Sequence, residues 1–102
     1  MANQQQSDLL KQGVATAWNI WREEHPDTPI RLNGADLSEA NLGEVNLVGA
    51  DLSHADLNGA DLTGARLLGA DLREALLEEA SLEGALITPE QLIQAKMGTD
   101  RL

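Results

Sequence analysis

Cysteine is absent from the sequence, which excludes disulfides and thiolate metal sites and leaves the redox compartment unmarked. Phenylalanine and tyrosine are absent too, and the aromatic content is Trp18 and Trp21 alone. A core without other large rings has to be filled by regular stacking of medium and small side chains, and the 42% hydrophobic content is mainly Leu and Ala. Basic residues are scarce. Seven Lys and Arg face seventeen Asp and Glu, a formal net charge of −10, so direct nucleic-acid binding through phosphates is not expected. No run approaches the roughly 18 uncharged apolar residues of a membrane span. The opening MANQQQSDLL lacks a basic start followed by an apolar stretch, so a secretory signal is not expected either. The expectation is one small soluble, cytoplasmic domain with room for a single core.

What is present is a beat of five. From Ile30 to Pro89 the chain divides without insertion into twelve blocks: IRLNG, ADLSE, ANLGE, VNLVG, ADLSH, ADLNG, ADLTG, ARLLG, ADLRE, ALLEE, ASLEG and ALITP. The third position is Leu in eleven blocks and Ile87 in the last; the first is Ala in ten, and the second is Asp or Asn in seven. A period of five smears leucines around an α-helix and sends them to alternating faces of a flat strand. It keeps them on one side only if the chain turns a corner in every block. The pattern therefore predicts a solenoid in which each block buries its first and third residues and turns over its last two, where Gly, Ser, Asn and Glu cluster. The predicted core is Leu32, Leu37, Leu42, Leu47, Leu52, Leu57, Leu62, Leu67, Leu72, Leu77, Leu82 and Ile87.

The A(D/N)LXX pattern over these sixty residues resembles the pentapeptide-repeat family. The resemblance implies an all-β solenoid, a right-handed quadrilateral β-helix with four blocks per coil. Twelve blocks are then about three coils, roughly 15 Å tall at the strand spacing. The lead-in AWNIWREEHPD also resembles the N-terminal helix of many bacterial, especially cyanobacterial, members.

The flanks read as lids over the open solenoid ends. Residues 1–29 are expected to hold a capping helix over 7–24 and a short HPDTP linker. Leu10, Val14, Ala17, Trp18 and Trp21 form its apolar stripe, Ser7 is the expected N-cap, and His25 before Pro26 ends it. Residues 90–102 are expected to form a second cap and tail. Thr88 serves as its N-cap, Pro89 is the first helical residue, Gln91 stands at the capping-box position and Gly98 is the stop.

Catalytic chemistry has little to rest on. His25 falls in the linker and His54 at a corner, and no nucleophile is marked beside either. In a twenty-residue coil Asp51 stacks on Asp71 and Asp36 on Asp56, about 5 Å apart. Calcium needs six to eight oxygens wrapped around it, which single outward columns do not supply. Asp and Asn at the second position instead suit local hydrogen bonds that fix the corners. No enzyme activity, cofactor or metal is predicted.

Sorting the blocks by a twenty-residue register gives four faces. Face one is IRLNG, ADLSH, ADLRE; face two ADLSE, ADLNG, ALLEE; face three ANLGE, ADLTG, ASLEG; face four VNLVG, ARLLG, ALITP. Face two carries Asp36, Glu39, Asp56, Glu78 and Glu79 with no basic residue. Face four has no carboxylate, and Val48, Leu68 and Leu86 point outward there around Arg66. An apolar strip rimmed by little charge suits a contact site, while cover by a terminal segment, or no role at all, would also account for it. The expectation is a non-catalytic interaction or scaffold module, monomeric or a weak dimer, acting through a protein partner, for instance as a small regulatory protein. The alternative implied by the resemblance is a DNA mimic that binds DNA gyrase; the charge fits, but those members are much longer rods.

Overall fold

The computed structural model describes residues 2–96. Its frame is a ladder of nine parallel bridges, each joining a second-position residue to the residue twenty further on: eight run in order from Arg31 with Asp51 to Arg66 with Leu86, and the ninth joins Leu76 to Lys96. Each block thus spends one residue on pairing before it turns. No continuous strand forms among the described residues, and the expected extended pieces are single bridges. Around each bridge, the third-position amide donates to the next coil's second-position carbonyl, as Leu32 N does to Asp51 O at 2.8 Å. The second-position amide returns the bond, as Asp51 N does to Ile30 O at 2.9 Å. A further rung joins the fifth-position amide to the fourth-position carbonyl of the next coil, as from Gly49 to Leu68 at 3.1 Å. Four blocks separate bridged residues, so one coil is twenty residues.

The corners explain the remaining positions. The amide opening each block donates to the third-position carbonyl of the block before, for example Ala60 N to Leu57 O at 3.0 Å. The fifth-position residue between them always has a positive φ, from 60° at Glu74 to 76° at Gly69. A bond across four residues with positive φ at the third is the type II turn pattern. Glycine satisfies it at six corners, while Glu39, Glu44, His54, Glu74 and Glu79 adopt it despite their side chains. All seven Asp or Asn residues at the second position accept a bond from the fourth-position amide of their own block, as Asp61 does from Thr63 N at 2.9 Å. These side-chain oxygens are occupied in holding the turns.

The core is the predicted leucine column with an alanine column beside it. Leu32 through Leu77 are 0–1% exposed, and Ala50, Ala55, Ala60, Ala65 and Ala75 are fully buried. Each buried leucine contributes about 1.5–3 kcal/mol. Leu82 and Ile87 depart from the expectation: they are only partly buried, because the described residues beyond them form a short helix and a single bridge in place of a full coil.

The N-terminal lid is two helices rather than one, α1 (Gln4–Lys11) and α2 (Ala15–Glu24). The break is at Gly13, whose φ of 76° no continuous helix accepts. Ser7 is consequently not the cap but a buried residue inside α1, and Asn3 takes that place, its side chain accepting from Gln6 N at 3.1 Å. Leu10 and Trp18 are buried and Trp21 partly so, as the stripe requires. Val14 is not part of that buried surface. It precedes α2 at the break and is 51% exposed. Trp18 and Trp21 stack at 5.5 Å, and His25 continues the stack at 4.7 Å from Trp21.

The C-terminal lid begins as predicted. Thr88 caps α3 (Pro89–Gln94), and a reciprocal capping box joins Thr88 and Gln91. After α3 the chain rejoins the ladder, where Lys96 bridges Leu76 at the same twenty-residue offset. The helix therefore replaces the first block of a fourth coil. Gln91 stands where a bridge to Asp71 would fall, and its side-chain Nε2 takes over the bond to Ala70 O at 2.9 Å. The predicted stop, Gly98, lies outside the described residues.

Candidate interaction face

The ladder places all four sequence-predicted contact residues on one face. Arg66 lies between its bridge partners Asn46 and Leu86, and Leu68 follows Val48 one coil on, joined through Gly49 N. Val48, Leu68 and Leu86 are 39%, 45% and 50% exposed, and the described residues leave them uncovered. At the N-terminal edge of this face, α2 closes the open backbone. Arg22 donates to Asn46 O and Val48 O at 3.0 Å each, and Trp18 Nε1 donates to Asn46 O at 2.8 Å. Burial lowers the affinity of Arg22 for its proton, but the guanidinium stays charged at neutral pH.

Arg66 differs in surroundings from two other exposed cations, Arg73 and Lys96. Arg73 pairs with Asp71 at 2.7 Å and Lys96 with Glu74 at 2.9 Å. The Arg66 guanidinium makes no hydrogen bond or ion pair among the described residues, on a face that offers it no carboxylate. Sequence patterning did not single out the Leu68 amide. Its block has Arg in place of Asp or Asn at the second position, so the amide that Asp61 satisfies one block earlier has no partner here among the described residues. The signal was present in the sequence as a missing acceptor two residues upstream. Two further exposed aliphatics, Ile20 on α2 and Ile93 on α3, also went unmarked; they are 53% and 81% exposed.

Other surfaces hold less. An open concavity between α1 and the first two coils is lined by Gln4, Ser7, Lys11, Asn33, Asp36 and His54. Its best chemical groups are engaged: Ser7 Oγ donates to Gln4 O at 3.3 Å, and Asp36 accepts from both Ser38 Oγ and Ser38 N. The Ser38 hydroxyl, then its amide, holds the Asp36 carboxyl below its ordinary value. Asp71 is lowered in the same way, chiefly by the Arg73 side chain, and Glu74 chiefly by Lys96. Among the described residues no three His, Cys, Asp or Glu side chains gather to hold a metal ion, and no helix is long and apolar enough to cross a membrane.

Comparison with curated proteins found no match. The family model for pentapeptide repeats matches residues 30–67 in eight copies. Blocks beyond that range keep the same corners and bridges through Leu86. Over residues 30–67 the chain belongs to the pentapeptide-repeat family.

Proposed function

We propose that this chain is a non-catalytic interaction module that docks a protein partner through face four. The observation that carries this is the coincidence of three exposed aliphatic side chains with an arginine that has no partner among the described residues, on a carboxylate-free face of a chain with net charge −10. In a right-handed, four-sided coil, the form the family likeness implies, face four lies opposite acidic face two. One side then repels other acidic proteins while the other offers apolar contact, which suits a single orientation of docking. The ladder makes the surface rigid before contact, so little ordering is lost on binding.

The test is site-specific photo-cross-linking in the source cells, with the photoreactive side chain at Val48 on face four or at Ser38 on face two. The expected result is one discrete protein adduct from position 48, abolished by Leu68→Glu, and none from position 38. Equal adducts from both faces, or an adduct at 48 that survives Leu68→Glu, overturns the proposal.

A further inference from the structure

We propose that the contact on face four is centred on an aspartate or glutamate side chain of the partner protein, held between the Arg66 guanidinium and the Leu68 amide. It rests on face four being a docking surface and states what chemistry that surface selects.

The protein itself shows what this amide accepts. In seven blocks the fourth-position N–H is bonded by a side-chain carboxylate or amide oxygen two residues earlier. Where the second position is leucine, another side chain supplies the oxygen. Asn58 Oδ1 accepts from Glu78 N at 2.7 Å, and Gln91 Oε1 accepts from Thr88 N at 2.8 Å. At Leu68 no described residue fills the place, and the second-position side chain is a cation. An oxygen that completes the turn there also meets Arg66, and a carboxylate satisfies both donors with charge-assisted bonds. Leu86, the bridge partner of Arg66, and Val48, one coil before Leu68, add exposed aliphatic side chains to the same face.

The first block is an internal control. Arg31 likewise precedes an amide, that of Asn33, with no acceptor among the described residues. There the bridge partner of the arginine is Asp51, so a carboxylate already adjoins it, and no exposed aliphatic side chain of that face stands beside it in the first two coils. A docking carboxylate is therefore expected to select the Arg66 site over the Arg31 site.

The probe is the tripeptide acetyl-Leu-Asp-Leu-amide, compared with acetyl-Leu-Asn-Leu-amide, titrated into the isotope-labelled full chain and followed by amide NMR. The expected result is a saturable shift of the Leu68 amide and the Arg66 Nε–H, with the Asp peptide binding about fivefold more tightly than the Asn peptide. Arg66→Gln is expected to remove that preference. Leu68→Pro removes the donor at a turn position that favours proline and where no native bond is lost, so it is expected to weaken binding while leaving the melting temperature unchanged. Equal binding of both peptides on face four overturns the carboxylate site but leaves the docking face standing. Shifts as large at Arg31 and Asn33, or no saturable shift on face four, also overturn it. A cross-link at Val48 that persists in Arg66→Gln would locate the failure in this inference alone.

Discussion

Gln6 and Asn19 do the same job at two points of the first coil: each side-chain amide stands in for a peptide unit of a coil that does not exist. Gln6 Nε2 donates to Pro29 O at 2.8 Å, and its Oε1 accepts from Arg31 N at 2.7 Å. Asn19 Nδ2 donates to Glu44 O at 3.1 Å, and its Oδ1 accepts from Asn46 N at 2.8 Å. The two carbonyl–amide pairs occupy equivalent positions three blocks apart. At the other end Gln91 supplies the donor half of the device, its Nε2 donating to Leu67 O and Ala70 O. The lids close the ladder electrically as well as sterically, because a buried edge without partners would be costly.

Replacing Gln6, which is 2% exposed, by leucine keeps the bulk and strands one donor and one acceptor. Gln6→Leu is expected to destabilise the fold by about 1–3 kcal/mol. Asn19→Leu, at a half-buried site open to water, is expected to cost about 0.5–1.5 kcal/mol. Urea denaturation of the two variants decides the matter. An unchanged midpoint for Gln6→Leu would mean that water supplies these bonds equally well.

The corner at His54 stores strain that glycine would release. Its φ is 61°, where a side chain costs about 1–2 kcal/mol, offset by the roughly 0.5–1 kcal/mol of extra unfolded-state freedom that glycine brings. His54→Gly is therefore expected to stabilise the protein by about 0.5–1 kcal/mol, a rise of a few degrees in melting temperature. The reverse change is cleanest at Gly49, where φ is 72° and an added Cβ meets nothing within 4 Å. Gly49→Ala is expected to cost about 1 kcal/mol from torsion alone. A loss of stability in His54→Gly would show that the imidazole holds this corner by contacts worth more than the strain.

The parts of this architecture that were legible are those repeated often enough to act as a global constraint. Leu at the third position and Ala at the first could face only inward once every block had to turn, and Asp or Asn at the second had an acceptor's task in every copy. Single events were harder. The stripe Leu10, Val14, Trp18 and Trp21 keeps helical spacing straight through Gly13, so only the glycine marked the break that turns Val14 outward. Leu82 carries the same motif position as Leu32, and nothing local says that it ends the stack. Gln6 is a polar residue among polar residues, and its burial follows from which solenoid end α1 covers. On face four the aliphatic side chains could be read from the register, but the open Leu68 amide emerged only once the seven filled ones were seen.

Acid should loosen the corners in a way that a single substitution can isolate. The Thr63 side chain, then its amide, holds the Asp61 carboxyl below its ordinary value of 3.8. A carboxyl lowered in the folded state adds stability that is complete above the ordinary value and is lost as pH falls through the folded one. Asp61→Asn keeps the acceptor, as Asn41 and Asn46 show in their own blocks, but cannot titrate. The melting temperature of the unaltered protein relative to Asp61→Asn is therefore expected to fall between pH 6 and pH 3. Acid also relieves self-repulsion in a chain of net charge −10, yet that effect acts on both proteins and largely cancels in the difference. Asp36 and Asp71, lowered by Ser38 and Arg73, should behave with the same sign. A difference that stays flat or widens on acidification would mean that the carboxylate is no better a corner acceptor than the neutral amide.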